Sequence, residues 1–236
     1  MTAVIRVMAT ISMATDLALL RLLHLASPSL PTGAFTYSQS LEWAVEHGWL
    51  TSVAELENWL GDQVQTTLTG VDLPLLARLH DASIRQDDAA LGSWSALLLA
   101  SRETHELRCE ETNRGRALAD LLVSLAVAGA AERKPLLART QVTGFAYAAA
   151  QWGIDQRQAL LGYGWSWMEN LVLAAVKSIP LGQTQGQQAL SRLLARIPKA
   201  VETALALDDD TIGASSPALA IASSLHETQY TRLFRS

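Results

Sequence analysis

Apolar side chains recur at three- and four-residue intervals along nearly all of this 236-residue chain, and no alternating run of β-branched residues is long enough for a strand. That pattern commits the fold to helices. Val53, Leu56, Leu60, Val64 and Leu68 share one helical face, with Ser52 and Glu55 spaced as a capping box at its start. Trp165, Met168, Val172, Val176 and Ile179 form a second stripe; Asp155 and Gln158 supply a cap ahead of it, and Pro180 and Gly182 end it. Further helices are predicted over 16–26, 37–46, 74–85, 89–111, 115–130, 135–150 and 187–205. Turn chemistry punctuates 27–33, 70–72 and 208–217. Apolar stripes continue across each break, with no repeat and no long linker. The expectation is therefore all-α: a single globular domain of about ten packed helices over 16–225. A poorly ordered extension at 1–15 precedes it, and a tail at 226–236 follows.

The chain is 49% hydrophobic and only 17% charged, the reverse of a disordered composition, so a real core is expected. A net charge of -5 and the absence of a Lys/Arg stripe argue against nucleic acid. A single cysteine, Cys109, cannot form an internal disulfide, and a cytoplasmic protein is expected. The first residues are mildly apolar with one Arg6, but Thr10, Ser12 and Thr15 interrupt them; they do not read as a signal peptide, and Met13 is an alternative start. The longest apolar run, 121–131, falls short of the ~20 residues that a membrane span needs.

Catalytic patterns are scarce. His105-Glu106-Leu107-Arg108-Cys109 is an HExxH pattern whose last ligand is Cys, which puts His105 and Cys109 on one helix face. Arg102, Glu103, Glu110 and Glu111 surround the pair, and a solvated or salt-bridged helix surface is the preferred reading. His24, His47, His80 and His226 show no ligand-like spacing and read as capping or surface imidazoles. There is no GxxxxGK[ST], and Gly162-Tyr163-Gly164 lies in a helical pattern without a preceding strand. Gly164-Trp165-Ser166-Trp167-Met168 lacks the second glycine of a nucleophile elbow. No catalytic centre, cofactor or metal is expected.

Two segments carry more polar and aromatic residues than a plain bundle requires. In 27–42, Pro28, Pro31 and Gly33 fix a loop that leads into a predicted helix bearing Tyr37, Ser38 and Glu42. Such a loop either presents side chains or is a helix connection with Thr36 as N-cap. In 226–236, a terminus that ought to fray carries Tyr230, Arg232, Leu233, Phe234 and Arg235, residue types that anchor interfaces. Burying Leu233 or Phe234 is worth roughly 1.5–3 kcal/mol each, so the tail docks either on its own domain or on a partner.

These segments also carry a resemblance. LASPSLPTGAFTYSQSLEWAVEHGWL at 25–50 resembles the N-terminal signature of the UreF family of urease accessory proteins. Asp72-Leu73-Pro74, the stretches 100–108, 167–172 and 176–183, and the closing HETQYTRLFRS resemble the same family in the same order. Thr36 and Ser40 stand where that family would have Ser and Gly, and Thr231 where it would have Ser.

The resemblance implies an all-α homodimer without catalytic activity. It would bind the scaffold UreH (also called UreD) and recruit the nickel-carrying GTPase UreG to the urease apoprotein for nickel insertion. It implies partner-binding roles for Arg232, Leu233 and Phe234 in the tail and for Tyr37 near the docked tail. Ser38, Tyr230 and Arg235 are assigned to the same surface, and Glu42, Arg102 and Lys177 to the GTPase-facing side. Two rival readings are a regulator of GTP hydrolysis that supplies an arginine such as Arg102 in trans, and a helical metal-dependent hydrolase built on His105 and Cys109.

Overall fold

The computed structural model describes residues 15–179 and 181–236. Apart from residue 15, the expected N-terminal extension lies outside the described residues, as do the alternative start at Met13 and the stop at Pro180. Helices follow one another from α1 (15–26) through α2 (Leu41–Glu46), α3 (Val53–Gln63), α4 (Leu73–Arg85) and α5 (Asp88–Ala100) to α6 (His105–Ser124). They continue with α7 (Ala130–Leu137), α8 (Gln141–Gln151), α9 (Gln156–Ser178), α10 (Gln183–Leu194), α11 (Ile197–Leu205) and α12 (Pro217–His226). No strand occurs among the described residues, and the helices surround one continuous apolar core, as an all-α fold requires. No described helix is long and apolar enough to cross a membrane.

Helix α8 is the hub. Every residue from Gln141 to Ala149 is buried, and its small side chains let α4 and α6 approach on either side. Gly115, read from sequence as a helix start, lies inside α6 instead. A Cβ there would come within 2.8 Å of the Thr140 main chain, so the missing side chain allows α6 to cross the start of α8 closely.

Capping explains most of the boundaries. Ser52 Oγ accepts the Glu55 N–H at 3.3 Å, but Glu55 itself turns to the Thr51 N–H at 2.7 Å, so the predicted box is only half closed. Asp155 caps α9 through the Gln158 N–H, as its spacing suggested. The single helices predicted at 89–111 and 135–150 are each split. Thr104 accepts the Leu107 N–H and starts α6, and Thr140 accepts the Thr143 N–H and starts α8. The helix predicted at 187–205 divides before Pro198, which occupies the first turn of α11.

The turn predicted at 70–72 is a second correction, because Val64–Asp72 is a π-helical segment that joins α3 to α4 without a break. Gly70 permits close packing there; its carbonyl accepts the Gly213 N–H at 2.9 Å, and a Cβ would come within 2.6 Å of the Ala214 Cβ. The helix predicted at 37–46 is shorter than expected. A 3-10 turn at Ala34–Thr36 gives way to extended Tyr37, Gln39 and Ser40 have positive φ, and α2 begins only at Leu41. Thr36 is therefore not its N-cap. Helix α12 follows Ser216-Pro217 and was not foreseen; it returns the chain to α2 and α6.

Candidate functional site

The tail after α12 folds back on its own domain. Glu42, in the first turn of α2, receives the Leu233 N–H on Oε1 at 2.5 Å and the Phe234 N–H on Oε2 at 2.9 Å. The Arg235 N–H donates to the Thr36 carbonyl at 2.8 Å, and the Ser38 N–H and hydroxyl donate to the Ser236 main-chain oxygen at 2.7 and 2.6 Å. The loop that sequence reading singled out thus lends the backbone of Thr36 and Ser38, on either side of extended Tyr37, to the tail. That pairing, with the left-handed pair Gln39 and Ser40, is why Tyr37 and Ser38 stay out of the helix.

Helix α6 supplies the opposite wall. Glu106 is mostly buried and ion-pairs with Arg232, whose Nε also donates to the Gln229 carbonyl at 3.0 Å. Fully buried His226 places Nδ1 2.6 Å from Glu106 and Nε2 3.5 Å from Glu42, joining both walls beneath the tail. One turn further on, Glu110 accepts from the Ser236 hydroxyl at 3.0 Å, Gln39 at 3.2 Å and Arg114 at 2.8 Å. Glu227 completes the exchange, taking the His105 N–H at 2.9 Å and the Glu106 N–H at 3.2 Å at the start of α6.

The side chains divide into seat and surface. Phe234 is 5% exposed, with Lys177 Nζ 5.9 Å from its ring centroid. Tyr37 is buried; its hydroxyl lies 3.5 Å from Asn113 Nδ2, and its carbonyl accepts from Asn170 at 3.3 Å. Ser38 is buried as well. Leu233 is 66% exposed, and Tyr230 and Arg235 also face outward. The structure therefore gathers Tyr37, Ser38, Glu42, Lys177 and 230–235 into one region, in which Tyr37, Ser38 and Phe234 are internal struts and Tyr230, Leu233 and Arg235 are available surface.

Arg102 sits elsewhere. It is 7% exposed, between Glu111 (Nη2–Oε2, 2.8 Å) and Asp72 (Nη1–Oδ1, 2.8 Å). Expected on a solvated or salt-bridged helix surface, it is salt-bridged but buried, the cation of an internal triad, and Glu110 and Glu111 are buried too. Glu111 also accepts the Gln141 N–H at 2.8 Å, capping α8. The Asp72 carboxylate is held by this close ion pair with Arg102. Burial pushes its pKa up to about 6 against the pull of Arg102, and Glu111 adds to the rise.

His226 and His80, expected as capping or surface imidazoles, are interior residues; His80 Nε2 lies 3.0 Å from the Ile154 carbonyl. His105 and Cys109 do meet on one face of α6, with Sγ 3.2 Å from Nε2. No group of three or more His, Cys, Asp or Glu side chains assembles as a metal-ligand set among the described residues. Sequence reasoning missed Glu106, Glu110, His226 and Glu227 as parts of the site. Membership of the motif stretches at 100–108 and 226–236 hinted at Glu106, His226 and Glu227, and nothing marked Glu110, since nothing local pairs residues so far apart.

The family model for UreF matches residues 50–194. The chain is 53% identical over 225 residues to a protein of Alcanivorax borkumensis named urease accessory protein UreF, covering 93% of this chain and 98% of that one. A protein of the same name from Pseudomonas putida KT2440 is 54% identical over 224 residues, covering 95% and 100% of the two chains. One from Escherichia coli O157:H7 is 47% identical over 217 residues, covering 92% and 97%.

Proposed function

The chain belongs to the UreF family of urease accessory proteins, and from that membership we propose that it acts as an adaptor with no chemistry of its own. It binds the UreH/UreD scaffold through the tail face and, with it, recruits the GTPase UreG to the urease apoprotein for nickel insertion, as a cytoplasmic homodimer. The observation that carries this reading is the tail's construction. Phe234 is buried and the backbone at 233–236 is tied to Glu42, Thr36 and Ser38, while Tyr230, Leu233 and Arg235 are left facing solvent. A terminus anchored so firmly, with an aromatic, an aliphatic and a cation displayed outward, has the composition of an interface patch. Arg232 contributes by orientation, fixing the tail to Glu106.

The rival readings have less support. An arginine that enters a GTPase site must be exposed, and Arg102 is spent on Asp72 and Glu111. His105 and Cys109 recruit no third ligand among the described residues. The test is size-exclusion chromatography with light scattering on the protein alone and mixed with its cognate scaffold and GTPase. A ternary species that is lost on deleting 230–236 and weakened by Arg232→Ala, with helicity unchanged, supports the adaptor. Normal scaffold capture and urease activation by Arg232→Ala would sink the tail assignment.

A further inference from the structure

On another part of the molecule, the π-helical segment Val64–Asp72 and α11 enclose a cleft of about 460 Å³, within the size range of small-molecule sites. We propose that this cleft binds a small organic anion, a carboxylate or phosphate ester with an apolar body. Its floor includes Val64 and Ala200, and Arg196, Lys199, Gln65 and Thr203 stand around it.

Arg196 is the central observation. Its guanidinium is exposed and makes no hydrogen bond or ion pair with any described residue. It rests on α3 at Gly61, where a Cβ would come within 1.9 Å of Nη1. The absence of a side chain at position 61 thus leaves room for the guanidinium, an unspent cation beside the cleft. Arg196 is also the N-cap residue of α11, a helix start with no side-chain cap and no acidic residue in its first turn. Lys199 adds a second cation; its one partner, Glu202, lies 3.6 Å away on the exposed surface and holds it weakly.

The other wall is unusual in its own right. π-Helical geometry is rare and recurs at functional sites. Here it runs for nine residues, and Thr69 Oγ donates to the Val64 carbonyl at 2.5 Å. Two cations side by side, on a chain whose net charge is -5, favour an anion here. The apolar floor selects an organic body over a bare inorganic ion, and a helix, with a diameter of about 10–12 Å, is too large for the space.

The protein is titrated calorimetrically with phenyl phosphate, benzoate and inorganic phosphate, in parallel with Arg196→Ala and Gly61→Ala. Saturable one-to-one binding of phenyl phosphate or benzoate is expected, tighter than that of inorganic phosphate; the tighter of the two identifies the head group. Arg196→Ala should weaken it about tenfold or more, the usual worth of a charge-assisted hydrogen bond. Gly61→Ala should weaken it too, with Arg196 still present, because it displaces the guanidinium. Arg196→Ala is an exposed substitution and should leave the circular dichroism spectrum unchanged. No saturation by either organic anion, equal binding by Arg196→Ala, or inorganic phosphate binding as tightly as both would overturn the proposal.

Discussion

Replacing Ser40 by glycine should stabilise this protein. Ser40 has φ 65° and ψ 6°, a left-handed conformation that costs an L-residue about 1–2 kcal/mol. Its side chain is fully buried, and its hydroxyl has no hydrogen-bond partner, a state worth about 1–3 kcal/mol of lost solvation. Glycine removes both penalties. Against this stand the greater chain entropy of glycine when unfolded, about 0.5–1 kcal/mol, and the packing of one small side chain. The balance favours Ser40→Gly by about 1 kcal/mol, which in a chain of this size raises Tm by about 2–4 °C. Urea unfolding followed by circular dichroism reads the effect as a higher midpoint at an unchanged m-value. The same substitution leaves Glu42 and the tail seat in place, so scaffold binding should persist. A midpoint equal to or below that of the parent would refute the reasoning and would mean that the Ser40 hydroxyl is satisfied in solution.

Other outcomes follow from the same geometry. Phe234→Ala should release the tail without unfolding the domain, seen as faster amide exchange at 233–236 and faster tryptic cleavage at Arg232, with the Tm nearly unchanged. Glu42→Gln weakens the acceptor for two tail N–H groups and should reduce scaffold affinity several-fold in the same pull-down, whereas Glu46→Gln should matter less. Arg102→Ala leaves two buried carboxylates without their cation and should cost about 3–5 kcal/mol in urea unfolding. The native Asp72 carboxyl holds its proton up to about pH 6, whereas the unfolded one releases it near 3.8. Its contribution to stability is therefore highest below the unfolded value and declines as pH rises from about 4 to about 6. Parent minus Asp72→Asn stability should fall across that window, and a flat difference would contradict the shift.

The helical class and the caps at Ser52 and Asp155 were legible because they depend on neighbours within one turn. The boundaries at Thr104 and Thr140 were missed for a reason of the same kind. Helical propensity runs on through each, and only the capping threonine marks the break, Thr104 through the Leu107 N–H and Thr140 through the Thr143 N–H. Glycines misled in the opposite sense, since Gly70 and Gly115 are contact residues inside helical segments. At the site, the loop and the tail stood out by composition, but their joining did not. Glu42 is 191 residues from Leu233, and Ser38 is 198 from Ser236.

Spacing along α6 explains why that joining holds. Glu106 and Glu110 lie four residues apart and face the tail, one gripping Arg232 and His226 and the other Ser236. Glu111, one position and about 100° further round the helix, turns into Arg102, and through it reaches Asp72 in the π-helical segment. A single helix thus carries the acceptors for both a terminal segment and a buried triad. Loss of the triad should be felt at the tail, whereas loss of the tail should leave the triad intact, because Arg102, Asp72 and Glu111 make no contact that depends on 227–236. Amide exchange makes the asymmetry measurable: Arg102→Ala should accelerate exchange at both 64–72 and 233–236, and Phe234→Ala only at the latter. Equal acceleration at both by Phe234→Ala would show that the tail, and not α6, is the element that holds this face together.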